Sequence, residues 1–353
     1  MIDLDRADAL EAVDASDMLG TIAALPDHCR EAFDAARARD LPTADGATAL
    51  VFCGMGGSAV AGDVVRAVFR DRLPVPAEVV RAPTLPRYAG PHTLVVASSF
   101  SGETSETLSA FREAVARGCR ILAITSGGSL AAEASEAGVP VIPVPGGFQP
   151  RAALGYLGFA ALGSLEAAGL LPDLSDDVAE TVEELTGLAA RLGPAVPVEA
   201  NPAKALAVRI RDKVPVVWGA EGIGAVAAMR WKTQMNENGK IPAFWSSMSE
   251  LDHNEVVGWT PPYGHGFSLI ALRHDDEGGP IAARFPLSYE IAREGGVENA
   301  EIRAAGRSPL ARLMSLVIVG DFTSAYVGLR RGVDPTPVEV LVRLKEALAE
   351  IPG

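Results

Sequence analysis

Three short apolar runs set the architecture of this chain. "ATALVFC" (47–53), "HTLVVAS" (92–98) and "CRILAIT" (119–125) each stop at a turn rich in Gly and Ser, then pass into a segment with helical spacing. Antiparallel neighbours can be joined by a tight hairpin, whereas parallel neighbours need a long crossover, usually a helix. Strands alternating with helices of this length therefore predict βαβ units and a parallel sheet. "PAEVVRAP" (76–83) adds a short strand and "VPVIPVP" (139–145) a closing one. A second series starts at "VPVVWGAEGIGAVAAMRWKTQMNENGK" (214–240), again strand, Gly turn, helix. "FSLIALRHDDEGGPIAARFPLSYEIAREGG" (267–296) and "LMSLVIVGDFTSAYVGLRRGV" (313–333) read in the same style. The expectation is an α/β fold of two doubly wound, flavodoxin-like parallel sheets. Its predicted parts are an N-terminal helical segment (1–45), a first α/β domain (46–170), a helical, Pro-rich connector (171–200) and a second α/β domain closed by a helix (201–353).

Composition narrows the function. With 48% hydrophobic residues the chain can bury a substantial core. A formal net charge of −14 disfavours nonspecific binding to nucleic acid or to an anionic membrane. An anionic ligand then has to be held by a local device. Cys29, Cys53 and Cys119 form no CxxC pair and read as reduced, small apolar residues. The acidic start, "MIDLDRADALEAVDASDML", has no signal-peptide pattern, and no uninterrupted apolar stretch reaches membrane-spanning length. These features predict a cytoplasmic protein.

Two turns in the first half suggest where an anion is held. "GMGGSAVAG" (54–62) follows the first strand and puts Ser58 at a helix N-terminus, where free N–H groups and the helix dipole favour negative charge. The plainer reading is a Ser cap with glycines for close packing. It is neither a clean dinucleotide fingerprint nor a Walker loop. "SSFSGETSETL" (98–108) then crowds Ser99, Ser101 and Thr104 into one turn at the carboxyl end of a parallel strand, where open α/β sheets bind ligands. One cap explains one hydroxyl, not this cluster. Hydroxyls and backbone N–H groups can cradle a phosphate without Lys or Arg. "TSGGS" (125–129) supplies a further edge for the same pocket.

The second half carries titratable groups. On a helix, Gln234, Glu237 and Asn238 share a face. The following loop holds Glu250, Asp252, His253 and Glu255 between Trp245 and Trp259, and a His among carboxylates suits acid–base work. The plainer reading is a polar helix face and a solvated acidic loop. No metal-ligand spacing occurs, since no second His lies one turn away.

Together "CGMGGSAVAGD", "SSFSGETSETL", "RWKTQMNENGKIPAFW" and "ELDHNEVVGW" resemble the bifunctional phosphoglucose/phosphomannose isomerase family of sugar isomerase (SIS) fold proteins. The similarity runs in order from about residue 50 to the C-terminus. The resemblance implies two SIS subdomains, a homodimer with shared active sites, a small-molecule sugar phosphate as substrate, and neither metal nor cofactor. It implies aldose–ketose isomerisation of glucose 6-phosphate or mannose 6-phosphate to fructose 6-phosphate through a cis-enediolate. Gly57, Ser58, Ser99, Ser101 and Thr104 match its phosphate-binding positions. Glu237 matches the proton-shuttling base, and His253 matches a ring-opening histidine reaching the neighbouring subunit. Lys345, in "LVRLKEAL", matches a lysine near the ring oxygen, and Arg151, in "QPRAALGY", matches the arginine beside the enediolate. Two positions depart from the pattern. Glu103 stands in the phosphate loop where a neutral residue is expected, so its carboxylate should point outward. Thr336 fits the family's threonine only with a small shift, and that position bears on mannose 6-phosphate. Two other functions fit the same residues: a noncatalytic sugar-phosphate-binding regulator, and an isomerase of another phosphosugar such as an amino-sugar phosphate.

Overall fold

The computed structural model describes residues 1–260 and 263–349, with the side chains of Tyr263, Lys345 and Ala349 excepted. Three helices open the chain, α1 (Ala7–Val13), α2 (Met18–Ala23) and α3 (Leu25–Arg37). The first sheet then forms from β1 (Ala49–Cys53), β2 (Ala77–Val80), β3 (Thr93–Ser98), β4 (Arg120–Thr125) and β5 (Val141–Pro143). All its pairings are parallel, in the order β2-β1-β3-β4-β5. This is the flavodoxin-like strand order. Its crossovers include α4 (Gly56–Val68), α5 (Ser105–Ala116) and α6 (Gly128–Glu136). Every residue of β1 and β3 is buried, because helices cover both faces, so these strands are apolar throughout rather than alternating.

Two long helices, α7 (Leu154–Ala167) and α8 (Ser175–Leu192), lead through α9 (Pro202–Ile210) to the second sheet. It contains β6 (Val214–Ala220), β7 (Phe244–Met248), β8 (Phe267–Arg273) and β9 (Glu298–Arg303), parallel throughout in the order β7-β6-β8-β9. The 15-residue α10 (Ile223–Glu237) joins β6 to β7, and α11 (Gly279–Ala282) and α12 (Arg284–Glu294) join β8 to β9. The chain ends in α13 (Pro309–Arg330) and α14 (Glu339–Ala349).

One expected unit is corrected here. The stretch 313–333 is not strand, turn and helix; 309–330 is one 22-residue helix. Its apolar side chains point in all directions because it is surrounded by protein, and an all-round apolar pattern does not distinguish a helix from a buried strand. By length and composition α13 could cross a membrane, but 94% of its apolar window is buried inside the fold. The packed neighbours are α10, where Trp231 Nε1 donates to the Leu316 carbonyl at 2.8 Å, and α8, α9, α2 and α4. The three cysteines are free; burial pushes the Cys53 thiol up to about 12, which keeps it an inert apolar filler.

Candidate active site

In the first sheet β1 and β3 sit where the strand order reverses, so the turns after them line one crevice. Those turns are the two singled out from sequence. Ser58 lies in the first turn of α4, and it is not a cap: its hydroxyl accepts from the Phe100 N–H at 3.1 Å and ties the two turns together. Ser99 Oγ lies 3.0 Å from Thr104 Oγ1 and accepts from Gly102 N–H at 3.1 Å. Ser101 Oγ accepts from Glu103 N–H at 3.2 Å. The hydroxyls of Ser58, Ser99, Ser101 and Thr104 thus gather around one tight turn.

The third turn, 125–129, meets this loop from the side. Gly102 sits at φ 73°, and a Cβ there would lie 1.9 Å from the Gly127 carbonyl oxygen, so only glycine allows the approach. The Glu103 side chain bridges to this third turn. Its carboxylate accepts from the Ser129 N–H at 2.7 Å and from Ser129 Oγ at 2.8 Å. That satisfies an orphan donor at the start of α6, whose own N-cap, Gly127, offers no side chain. Glu103 is a cap supplied from the neighbouring loop, and Ser129 is engaged with it.

The short 3₁₀ turn Pro150–Ala152 carries Arg151 to the α4 N-terminus. Gly57 makes that possible, since a Cβ there would lie 2.7 Å from the Pro150 carbonyl oxygen. Arg151 is 3% exposed, and each of its three side-chain nitrogens has a partner. Nε donates to Asn238 Oδ1 at 2.6 Å, Nη1 faces Glu237 at 3.5 Å, and Nη2 donates to the carbonyls of Pro335 and Thr336 at 2.8 and 2.9 Å. Burial holds its pKa below the ordinary arginine value, with Glu237 opposing the shift. A guanidinium is not deprotonated in proteins, so Arg151 keeps its charge.

Glu237 is the last residue of α10, with its side chain 32% exposed. Its helix neighbours Gln234 and Asn238, on the same face, bond elsewhere. Gln234 Nε2 donates to Asp321 at 3.0 Å, and Asn238 bridges Arg151 to Ser324, where its Nδ2 donates at 3.0 Å. Neither holds Glu237. Both fix Arg151 and the helix, through Asp321 and Ser324 of α13. Asp321 also receives the buried Arg230, which donates in turn to the Arg151 carbonyl at 2.9 Å. The carboxylate that faces open space is therefore Glu237, beside a fixed guanidinium.

A cleft of about 90 Å³ is lined by Gly56, Gly57, Arg81, Arg151, Gln234 and Glu237. A larger cavity, about 730 Å³, lies on the other side of Glu237, between residues 236–242 and 333–341. Arg81 and Lys240 were missed from sequence. Arg81 follows the carboxyl end of β2, the side on which such sheets bind ligands, and that was a readable signal. Lys240 had none, because its partners are backbone carbonyls near residue 335. Among the described residues the buried Thr336 hydroxyl, beside these groups, has no hydrogen-bond partner.

His253 is elsewhere. The chain leaves α10 at the amino edge of the second sheet, and the five residues of β7 carry it to the carboxyl edge, roughly 16 Å away at about 3.3 Å per residue. His253 ends a 3₁₀ turn (Glu250–His253) beyond that edge. Its loop is braced on both sides. Asp252 accepts from Arg284 and Ser288 at 3.0 and 2.7 Å, and Glu255 accepts from Trp218 and Trp259 at 2.8 and 3.1 Å. The loop is packed, as expected, but only Trp259 is buried; Trp245 is partly exposed on the edge strand. His253 itself is exposed. Lys345 falls within α14, and its side chain lies outside the described residues. Among the described residues no cluster of His, Cys, Asp or Glu is arranged to hold a metal ion.

Comparison with known proteins gives a consistent set. Residues 46–145 match the SIS domain model, and residues 199–348 match the model of the bacterial phospho-glucose isomerase C-terminal SIS domain. A bifunctional phosphoglucose/phosphomannose isomerase from Caldicellulosiruptor bescii is 42% identical over 306 residues, covering 86% of this chain and 90% of that protein. A D-glucosamine-6-phosphate 4-epimerase from Sulfolobus acidocaldarius is 31% identical over 252 residues, covering 70% of this chain and 75% of that protein. Among solved structures, a glucose-6-phosphate isomerase like protein from Thermus thermophilus superposes with a TM-score of 0.65 at 22% identity, covering 98% of this chain and 99% of the other, a likeness of fold.

Proposed function

The chain belongs to the bifunctional phosphoglucose/phosphomannose isomerase family, and from that premise we propose that it interconverts hexose 6-phosphates as an aldose–ketose isomerase. The observation that carries this reading is the meeting of a half-exposed carboxylate, Glu237, with a buried guanidinium, Arg151, 3.5 Å apart beside the hydroxyl-lined turns of the first sheet. A carboxylate can take the proton α to a carbonyl and return it to the adjacent carbon. The fixed Arg151 charge offsets the negative charge of the enediolate, and such preorganised groups cost no reorganisation during reaction. The Ser58, Ser99, Ser101 and Thr104 turns hold the phosphate end away from the reacting carbons, so binding energy there positions the sugar.

The site takes its ring-opening group from a second copy of the chain. β7 puts His253 at the far end of its own second sheet from Glu237, on a braced loop that leaves the imidazole exposed. A two-fold dimer in which each loop enters the neighbour's site reconciles this separation with a role at one sugar. The exposed Val340, Leu341, Val342 and Leu344 of α14 and Phe244 of β7 supply apolar surface for such contact.

The test is a coupled assay with glucose 6-phosphate and mannose 6-phosphate, with and without chelator, followed by mixing of inactive Glu237→Gln and His253→Ala proteins under subunit exchange. Turnover that survives chelation, and recovery of up to about a quarter of wild-type activity on mixing, are expected, because half the dimers are mixed and each has one intact site. No turnover of either sugar overturns the isomerase reading; no recovery despite exchange overturns the shared site. The epimerase relative favours a second substrate class, amino-sugar 6-phosphates. Turnover of glucosamine 6-phosphate in preference to both hexose phosphates selects it.

A further inference from the structure

Lys240 is an anomaly in its own turn. It follows the C-terminus of α10 at φ 53°, one of three described non-glycine residues with positive φ. Helices commonly end with a left-handed residue, and it is usually glycine, because a Cβ there is strained. This chain has a glycine one position earlier, and that glycine is used for something else: a Cβ on Gly239 would lie 2.8 Å from the Met235 carbonyl oxygen. The left-handed position is given to a lysine instead. Strain of this kind persists where the side chain is needed.

The side chain shows the need. Nζ donates to the carbonyls of Glu237, Pro335 (2.9 Å) and Pro337 (2.5 Å). An ammonium has three protons, and three carbonyls take them, so Lys240 has none left for a substrate. The first acceptor belongs to the residue bearing the candidate base. The other two belong to the segment joining α13 to α14. That segment has few donors of its own: Pro335 and Pro337 have no N–H, and the Thr336 N–H is used locally by Asp334 at 2.8 Å. It is held through its carbonyls. Arg151 takes those of Pro335 and Thr336, and Lys240 those of Pro335 and Pro337. Arg331 reinforces the same corner by donating to the carbonyls of Gly239 and Lys240 at 3.0 and 3.2 Å.

We propose that Lys240 is a positioning residue: it clasps the 335–337 hinge to the end of α10 and so sets both Arg151, which shares the Pro335 carbonyl, and α14 relative to Glu237. The kinetic part of this inference rests on the isomerase reading above; the clasp itself does not. Loss of the clasp frees the base of α14 and leaves the hinge to Arg151, which is drawn from its place beside Glu237. The chemical step then suffers more than sugar-phosphate binding, because the hydroxyl turns are untouched.

Three variants of the full chain test this. Lys240→Gly suits the left-handed backbone and removes the ammonium, Lys240→Met removes it and keeps the strain, and Lys240→Arg keeps the charge. Backbone hydrogen exchange is read across α14 and compared with α10 and α13, and kcat and KM are read with the hexose phosphate turned over by wild type. In Lys240→Gly and Lys240→Met, α14 amides should exchange about tenfold faster with α13 unchanged. Their kcat should fall about tenfold with KM within about threefold, and Lys240→Arg should restore most of both. If the residue merely fills the turn, Lys240→Gly matches or exceeds wild type in every readout, and the proposal fails. It fails equally if Lys240→Arg is no better than Lys240→Met. Faster α14 exchange in a protein that turns over no hexose phosphate leaves the clasp standing and removes the isomerase reading instead.

Discussion

The two halves share a strand order around their central pair but treat the crevice there in opposite ways. In the first half the turns after β1 and β3 are kept small: glycines, and hydroxyls that bond among themselves and to local backbone. In the second half β8 ends instead in a charged cluster over β9 and α12. Arg273 pairs with Glu277 at 2.7 Å and with Glu301 at 3.1 Å, and it stacks 4.1 Å over the Phe285 ring. His274 is buried against Gly224 of the α10 N-terminus. One pair of turns presents hydroxyls, and the other region carries buried charges and a buried imidazole. The second half instead contributes the opposite end of its sheet, where α10 delivers Glu237 to the first half's pocket. A duplicated topology fixes where a site could be, and the turn residues decide whether it is one.

Perturbing each half separately should split chemistry, stability and binding. Glu237→Gln keeps shape and removes basicity; kcat should fall by about 10²–10⁴-fold or more, with phosphosugar binding intact by calorimetry and solvent deuterium no longer entering at C2. Retained deuterium entry would move the base elsewhere, though not to Glu255, which two tryptophans hold. Glu277→Gln, in the charged cluster of the second half, should leave KM alone and cost about 2 kcal/mol, because it takes the buried carboxylate from Arg273 and leaves it only Glu301; denaturant unfolding reads this. A raised KM would mean that the second crevice also binds ligand. At the hydroxyl turns, Ser101→Ala with Thr104→Ala should raise KM, and the inhibition constant of inorganic phosphate, about thirtyfold, at about 1 kcal/mol for each of the two hydrogen bonds lost. Unchanged values for both would remove the phosphate assignment. Glu103→Asn should cost about 1 kcal/mol of stability through the lost cap on α6, with little change in KM.

The smallest effect is a pH dependence. Burial first, then the Arg151 charge, lower Lys240 to about 8, with Glu237 and Asp334 opposing. Because the folded value lies below the unfolded one, protonation near neutral pH opposes folding, and that penalty is relieved as pH rises from about 8 toward the ordinary lysine value. Alkaline pH should therefore not unfold the protein through Lys240. It leaves two protons for three carbonyls, so wild type should lose kcat above about pH 8 on a limb that is absent in Lys240→Met. The same limb in that variant would assign it to another group.

What the sequence revealed follows from where the partners lie. The first sheet was legible because its strands and turns obey local rules. The hydroxyl turn was legible for the same reason. α13 was not, because burial on all sides erases the periodicity that separates helix from strand. β7 was not read as a strand: "FWSSM" is a half-exposed edge strand whose leading apolar pair is cut short by two serines and makes no run. The face shared by Gln234 and Asn238 followed from helical spacing, but their partners, Asp321 and Ser324, come from a helix more than eighty residues on. Lys240 grips carbonyls, and carbonyls leave no mark on a sequence.

The burial of α13 bears on how the molecule can be cut. This helix belongs by sequence to the second half, yet it packs on α8 of the connector, on α2 from the N-terminal segment and on α4 from the first half. Expressed alone, the second half would present to water the flank of α13 that those elements now cover, and Asp321 would still anchor an α10 whose Arg230 had lost the Arg151 carbonyl. The halves are thus a repeat in topology but one unit in thermodynamics. Heat should unfold them in a single calorimetric transition, and a chain severed between them should survive as a reassembled pair, not as two separate modules.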